Sequence, residues 1–179
     1  GFTDLLAGSS RLDDVMNAVS EGVRFAPRGG SSTALTRSGF GSERLAQVID
    51  SMAAEADIVL LDSSPILLIP ENQFMAAAVD GVLLVVQAGV TRARDLLRAK
   101  QILDKSGTPI AGVILNQLGG SRHEAKLRAV IEHYTGVPVL GAVQHDERVG
   151  IAERHLGLVP SNEAQGARGR IDEIAARIA

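Results

Sequence analysis

Short, unbroken apolar runs alternate along this chain with stretches in which apolar residues recur every three or four positions. Ile58-Val59-Leu60-Leu61, Val82-Leu83-Leu84-Val85-Val86 and Ile110-Ala111-Gly112-Val113-Ile114-Leu115 are continuous rather than alternating. Runs of this kind predict parallel strands covered on both faces. Val137-Pro138-Val139-Leu140 predicts a shorter fourth strand. Between the runs, residues 42–55 place Leu45, Val48, Ile49 and Met52 on one helical stripe. Residues 91–106 do the same with Leu96, Ala99 and Leu103, and Gly107 and Pro109 then stop the helix. Residues 122–135 are expected to bury Leu127, Val130 and Ile131, with Gly136 as the stop. A last helix is predicted over 164–178, with Ile171, Ile174, Ala175 and Ile178. Strand–helix alternation with short connections predicts an α/β fold, a mostly parallel sheet with helices on both faces.

The start of the chain is less regular. Residues 12–19 predict a short helix and Val23-Arg24-Phe25 a strand, and 26–41, rich in Gly, Ser, Pro and Arg, predict a long loop. The expected organisation is therefore one domain over 1–179, an irregular entry region at 1–41 followed by an alternating core at 42–179. There is no internal repeat and no low-complexity tract.

Composition narrows the chemistry. The 179 residues are 45% hydrophobic and 22% charged, with a net charge of −3. That balance is globular, and a chain of this length can bury about 70% of its unfolded surface. With four Phe, one Tyr and no Trp, the core must be built from Leu, Ile, Val and Ala. A pI near 5.8 offers no electrostatic case for nucleic acid. The absence of cysteine excludes a disulfide framework, a thiolate metal site and a cysteine nucleophile, and fits a reducing, cytoplasmic setting. Apolar runs such as 58–61, 66–69 and 82–86 are far shorter than the ~20 residues needed to span a bilayer.

In a doubly wound sheet, ligands gather at the carboxyl ends of the strands. The run 58–61 ends in Asp62, which either caps the next turn or holds a magnesium ion through its water shell. The run 110–115 ends in Asn116, whose carboxamide either starts a loop or meets the edge of an adenine ring. Asp146, after the fourth strand, either caps a helix or faces a ligand. The three lysines, Lys100, Lys105 and Lys126, follow no glycine and lie in predicted helices, so none is the lysine of a phosphate-binding loop. Gly29-Gly30-Ser31-Ser32-Thr33 is a flexible loop on this pattern, and Ser42 a helix cap. The four histidines show no metal-ligand spacing, and no Gly-x-Ser-x-Gly elbow supports a serine hydrolase.

Taken together, the strand ends resemble a known class. Asp57-Ile58-Val59-Leu60-Leu61-Asp62-Ser63-Ser64-Pro65 resembles the Walker B segment of bacterial tyrosine kinases of capsule and exopolysaccharide export, with Ser63 and Ser64 departing from the usual Asp-Thr-Pro-Pro. Residues 1–8 followed by 12–15, the start of the 42–55 helix, 80–91 and 112–116 are similar to the same family in order, so that likeness covers about 1–117. Asn116-Gln117-Leu118-Gly119-Gly120-Ser121-Arg122-His123-Glu124, residues 137–142 and residues 153–159 resemble instead the ATP-binding domain of cobyrinic acid a,c-diamide synthase. Both belong to the MinD/ParA class of P-loop ATPases. The resemblance implies ATP and magnesium as cofactors of a complete domain, with Asp62 organising the magnesium and Asn116 and Asp146 beside the base. Gln144 stands where that class usually has Pro, a departure in the segment next to the base. The implied partners are a nucleotide, a membrane-bound polysaccharide co-polymerase and a second copy of the chain, and the resemblance also allows membrane association through a partner.

The same resemblance places the Walker A lysine and a second acidic motif before Gly1, so that the chain is expected to be an N-terminal truncation with no catalytic residue of its own. Its function is then expected to be that of a fragment of an ATPase or tyrosine autokinase of polysaccharide export, inactive alone. The alternatives are the ATP-binding domain of an amide ligase and a non-catalytic adaptor. Loss of an interior strand would leave backbone groups unpaired on its neighbours. The chain of residues 1–179 by itself is therefore expected to be less stable than its length suggests, or to pair with another chain. A sharp, two-state melt of a pure monomer contradicts that expectation.

Overall fold

The structure, a computed structural model, describes residues 1–30, 42–70 and 72–145. Ser42's side chain, Asp146 and the helix predicted over 164–178 lie outside the described residues, as does most of the predicted loop at 26–41. The described chain runs α1 (Phe2–Ala7), α2 (Leu12–Val15), β1 (Asn17–Ser20), β2 (Val23–Phe25), α3 (Ser42–Ala53), α4 (Asn72–Ala77), β3 (Val82–Gln87), α5 (Ala93–Ser106), β4 (Ile110–Leu118), α6 (Ser121–Thr135) and β5 (Val139–Gln144). It divides into two compact units, Gly1–Val82 with Ala93–Ala111, and Leu83–Arg92 with the residues from Gly112 onward.

The first unit is built on α3. Its predicted stripe is the one the fold uses: Leu45, Val48, Ile49 and Met52 are buried and meet Leu5 and Leu6 of α1 and Val15 of α2. Gly8, at φ 72°, ends α1 in the left-handed conformation that glycine adopts without a Cβ penalty. Arg44 of α3 donates through Nη2 to the Leu5 carbonyl at 2.9 Å, which satisfies a backbone acceptor near that helix end. Residues 12–19, read as one helix, split into α2 and strand β1. β1 turns back through Gly22, at φ 71°, into an antiparallel hairpin with β2. In α5 the buried residues are Leu96, Ala99 and Leu103, the predicted stripe.

One predicted strand of this unit is not a strand. Residues 58–61 belong to no sheet among the described residues. Their exposure alternates: Val59 and Leu61 are partly buried against the α1–α3 core, whereas Ile58 is 76% and Leu60 82% exposed. An unbroken apolar run therefore behaves here as a half-buried extended segment, because only one of its sides meets packed side chains.

The sheet is three-stranded and parallel, in the order β3-β4-β5. β4, in the centre, comes nearest to the predicted burial on both faces: Val113 and Leu115 are fully buried and Gly112 is buried with them. β3, like β5, is an outer strand among the described residues. Val86 is buried while Leu83 and Val85 are exposed, so the expectation of a fully buried strand at 82–86 is corrected to burial of one face. In the second unit α6 ends at Gly136 in the left-handed conformation, as its sequence predicts, but of the three residues expected to be buried only Ile131 is: Leu127 is half-buried and Val130 is exposed, because the helix meets packed side chains over a narrower stripe.

The pairing of β4 with β5 contains two irregularities that cancel. Val113 pairs with Val139 but Ile114 pairs with Gly141, so β5 carries Leu140 as an extra residue. Further on, Leu115 pairs with Ala142 and Leu118 with Gln144, so β4 carries an extra residue between them. Both strands thus advance five positions between the first pair and the last. In this parallel pairing the N–H and carbonyl of Val139 itself face away from β4, and α6 supplies their partners. The Val139 N–H donates to Glu132 Oε1 at 2.9 Å, and Arg128 Nη1 donates to the Val139 carbonyl. The Leu140 side chain lies over Gly112, where a Cβ would come within 2.4 Å of Leu140 Cγ and 3.1 Å of the Pro138 carbonyl oxygen. Gly112 is therefore set by packing and not by backbone conformation.

Two substitutions test this account by urea denaturation. Gly112→Ala is expected to destabilise by about 1–3 kcal/mol through overpacking against Leu140. Leu45→Ala, at a fully buried site, is expected to cost about 2–5 kcal/mol, whereas Leu60→Ala stays within about 0.5 kcal/mol of the parent. Equal costs at Leu45 and Leu60 contradict the assignment of Leu60 to an uncovered side.

Candidate functional site

The first unit presents Asp62 at the end of its half-buried extended segment. Asp62 is exposed, with its carboxylate open to solvent. The residues after it are held from α4. Asn72, buried at the helix start, donates through Nδ2 to the Ser64 carbonyl, and the Leu68 N–H donates to the Pro65 carbonyl at 2.9 Å. A buried carboxamide that satisfies a loop carbonyl fixes the path of the chain that follows Asp62. Neither α4 nor Asn72 was signalled by periodicity, because six residues are too few to display a stripe.

The second unit presents Asn116 near the carboxyl end of β4. The bulge falls here. Gln117 has φ 58°, the only described residue other than glycine with positive φ. A side chain in that region costs roughly 1–2 kcal/mol, so it persists only where surrounding contacts hold it. Three contacts do so. The Gln117 N–H donates to Asn116 Oδ1 at 3.0 Å, Gln87 Nε2 donates to Gln117 Oε1 at 2.7 Å, and the Ala88 N–H donates to the Asn116 carbonyl at 2.9 Å. The first contact also decides how the Asn116 amide is turned. A backbone N–H can only donate, so the oxygen of Asn116 faces Gln117 and its NH2 group points away as a donor.

Gln87 is itself anchored. Its N–H donates to Thr91 Oγ1 at 3.0 Å, and its carbonyl accepts from the N–H groups of Val90 at 3.2 Å and Thr91 at 2.9 Å. Gly89, at φ 78°, makes that tight turn possible. On the other side of β4, the His145 N–H donates to the Leu118 carbonyl at 2.8 Å. Gln144, the departure from the class pattern, donates through Nε2 to Glu124 Oε2 of α6 at 3.2 Å. The sequence predicted Asn116 here but not Gln87, Gln117 or Thr91. A polar residue closing the run 82–86 was the available signal for Gln87, whereas a glutamine in a left-handed position carries none.

Among the described residues no cluster of three or more His, Asp or Glu side chains could hold a metal ion. A magnesium ion at Asp62 would accordingly be held through one carboxylate, water and phosphate oxygens, a donor set that this ion accepts. Also among the described residues, no helix is long and apolar enough to cross a membrane.

A parallel three-stranded sheet flanked by helices defines the class of the fold, α/β, and the comparisons with known proteins agree. The cell division ATPase MinD of Pyrococcus furiosus is similar in structure over 99% of this chain and 75% of its own, with a TM-score of 0.58 and 19% sequence identity. That likeness shows the fold, a MinD-like P-loop NTPase fold. The family described as an AAA domain matches residues 19–152, and the chain belongs to that family. In sequence it is 40% identical over 107 residues to hydrogenobyrinate a,c-diamide synthase of Thermobifida fusca, which covers 59% of this chain and 22% of that protein. It is 53% identical over 60 residues to cobyrinate a,c-diamide synthase of Methanosarcina acetivorans, or 34% of this chain and 12% of that protein. The chain thus spans about a fifth or less of these relatives.

Proposed function

We propose that this chain is the nucleotide-binding domain of an ATP-dependent amide ligase of the cobyrinate a,c-diamide synthase type. The observation that carries the proposal is the 40% identity over 107 residues to hydrogenobyrinate a,c-diamide synthase. The MinD-like fold supports it, because that fold offers its strand ends to a nucleotide. Within the proposal, the Asn116 NH2 group donates to an acceptor on the base, and the Asp62 carboxylate orders the magnesium ion's water shell. Asp146 keeps its place beside the base as part of the same proposal. Magnesium-ATP, when bound, supplies the driving force for joining a carboxylate to an amine. The protein's own contribution is to hold base and metal in place before that chemistry.

This was the alternative expectation from sequence, and the relatives named above point to it. The leading expectation, a tyrosine autokinase of polysaccharide export with a membrane-bound co-polymerase, draws no support from them. Tyr134, the only tyrosine, lies in α6.

Calorimetry on the full-length protein tests the proposal. Magnesium-ATP is expected to bind, and Asp62→Ala to weaken that binding about tenfold or more in magnesium, with little effect when magnesium is left out. Unchanged affinity in Asp62→Ala contradicts the role given to Asp62. No binding of magnesium-ATP by the full-length protein contradicts the proposal as a whole and favours an adaptor.

A further inference from the structure

We infer that Gln87 is a positioning residue for the base end of the nucleotide site, acting on Asn116 through Gln117. The inference rests on the proposed contact between Asn116 and the base. It begins from the one strained residue at the strand ends. Gln117 occupies the left-handed region at φ 58° without being a glycine. The Asn116–Gln117 peptide unit carries the Gln117 N–H to 3.0 Å from Asn116 Oδ1, and that contact turns the Asn116 NH2 group outward. Because Leu115 and Leu118 on either side are paired with β5, Gln117 can relax only by a compensating turn of the Asn116–Gln117 peptide unit, which would swing the N–H out of line and release the Asn116 amide. The bulge would then also lose its register, since the extra residue of β4 falls between Leu115 and Leu118.

Gln87 supplies the restraint. Its Nε2 donates to Gln117 Oε1 at 2.7 Å, across 30 residues of sequence. A side chain can hold another only if its own base is fixed, and Gln87 has both backbone groups engaged in the turn closed by Thr91. The Ala88 N–H, next in sequence, donates to the Asn116 carbonyl, so the same turn grips the main chain of Asn116 as well. Thus the end of β3 holds Asn116 twice, once by its backbone and once through Gln117. A purely structural amide pair would have no reason to sit on a non-glycine bulge adjoining the candidate ligand group. Strain retained in that place is the pattern of a preorganised site.

The test is a double-mutant cycle on the full-length protein, read as affinity for magnesium-ATP. Gln87→Ala is expected to weaken binding about tenfold, and Gln87→Met, which keeps the length but can neither donate nor accept in this way, to do the same. Gln117→Gly removes the strain, because glycine takes the left-handed conformation unaided. In the Gln117→Gly background, Gln87→Ala is therefore expected to have no further effect. A loss of the same size in that background means that Gln87 touches the nucleotide itself, and overturns the positioning role. Without nucleotide, Gln87→Ala is expected to speed amide exchange of Gln117, a readout independent of ligand. Asn116→Ala separates the two layers. If it lowers affinity and neither Gln87 variant does, the positioning role fails and the base contact stands. If Asn116→Ala leaves affinity unchanged, the base contact fails and the inference falls with it.

Discussion

The carboxyl end of β4 is gripped from both sides by backbone hydrogen bonds, and the candidate base site depends on that grip. The Asn116 carbonyl accepts from the Ala88 N–H on the β3 side, and the Leu118 carbonyl accepts from the His145 N–H on the β5 side. Unpaired, these carbonyls would each cost free energy comparable to a lost hydrogen bond. Their pairing forces the chain leaving β3 and the chain leaving β5 to pass close to β4. Fully buried Val113 and Leu115 hold the strand from beneath. A side chain mounted at that point is carried by a rigid scaffold and not by a free loop.

On this scaffold, the two bulges serve different ends. The one at Leu140 is absorbed by packing: Leu140 covers Gly112, and α6 satisfies Val139 through Glu132 and Arg128. The one at Gln117 is absorbed by three amide contacts that lead to Asn116. Because they add one residue to each strand, the register is restored by Leu118 and Gln144. The irregularity is thus contained between the Val113–Val139 and Leu118–Gln144 pairs, which are in step with each other.

Helices α3, α5 and α6 were legible in the sequence, because apolar residues spaced three and four apart match the helical repeat and not the strand repeat. β4 was legible as a buried strand from its long continuous apolar run. Burial at 58–61 and in β3 was overstated. An unbroken apolar run does not reveal how many of its faces meet other side chains, and Ile58, Leu60, Leu83 and Val85 are exposed. Helix α4 and strand β1 were too short to announce themselves. At the candidate site, Asn116 and Asp62 could be found because they close apolar runs. Gln117 could not, since glutamine has no propensity for the left-handed conformation and its side-chain partner Gln87 lies 30 residues away. The family was legible at the level of the MinD/ParA class. Between its two branches, the similarity to the diamide synthases now carries more weight than the likeness of residues 57–65 to the export kinases.

The central claim is that the end of β4, with its bulge, is where the base of a nucleotide rests. Amide hydrogen exchange of the full-length protein, with and without magnesium-ATP, tests it most directly. The account predicts slowed exchange at Ala88 and Gln117 when nucleotide is bound, with the amides of the β1–β2 hairpin unchanged. Bound nucleotide with no change at Ala88 and Gln117 would contradict it.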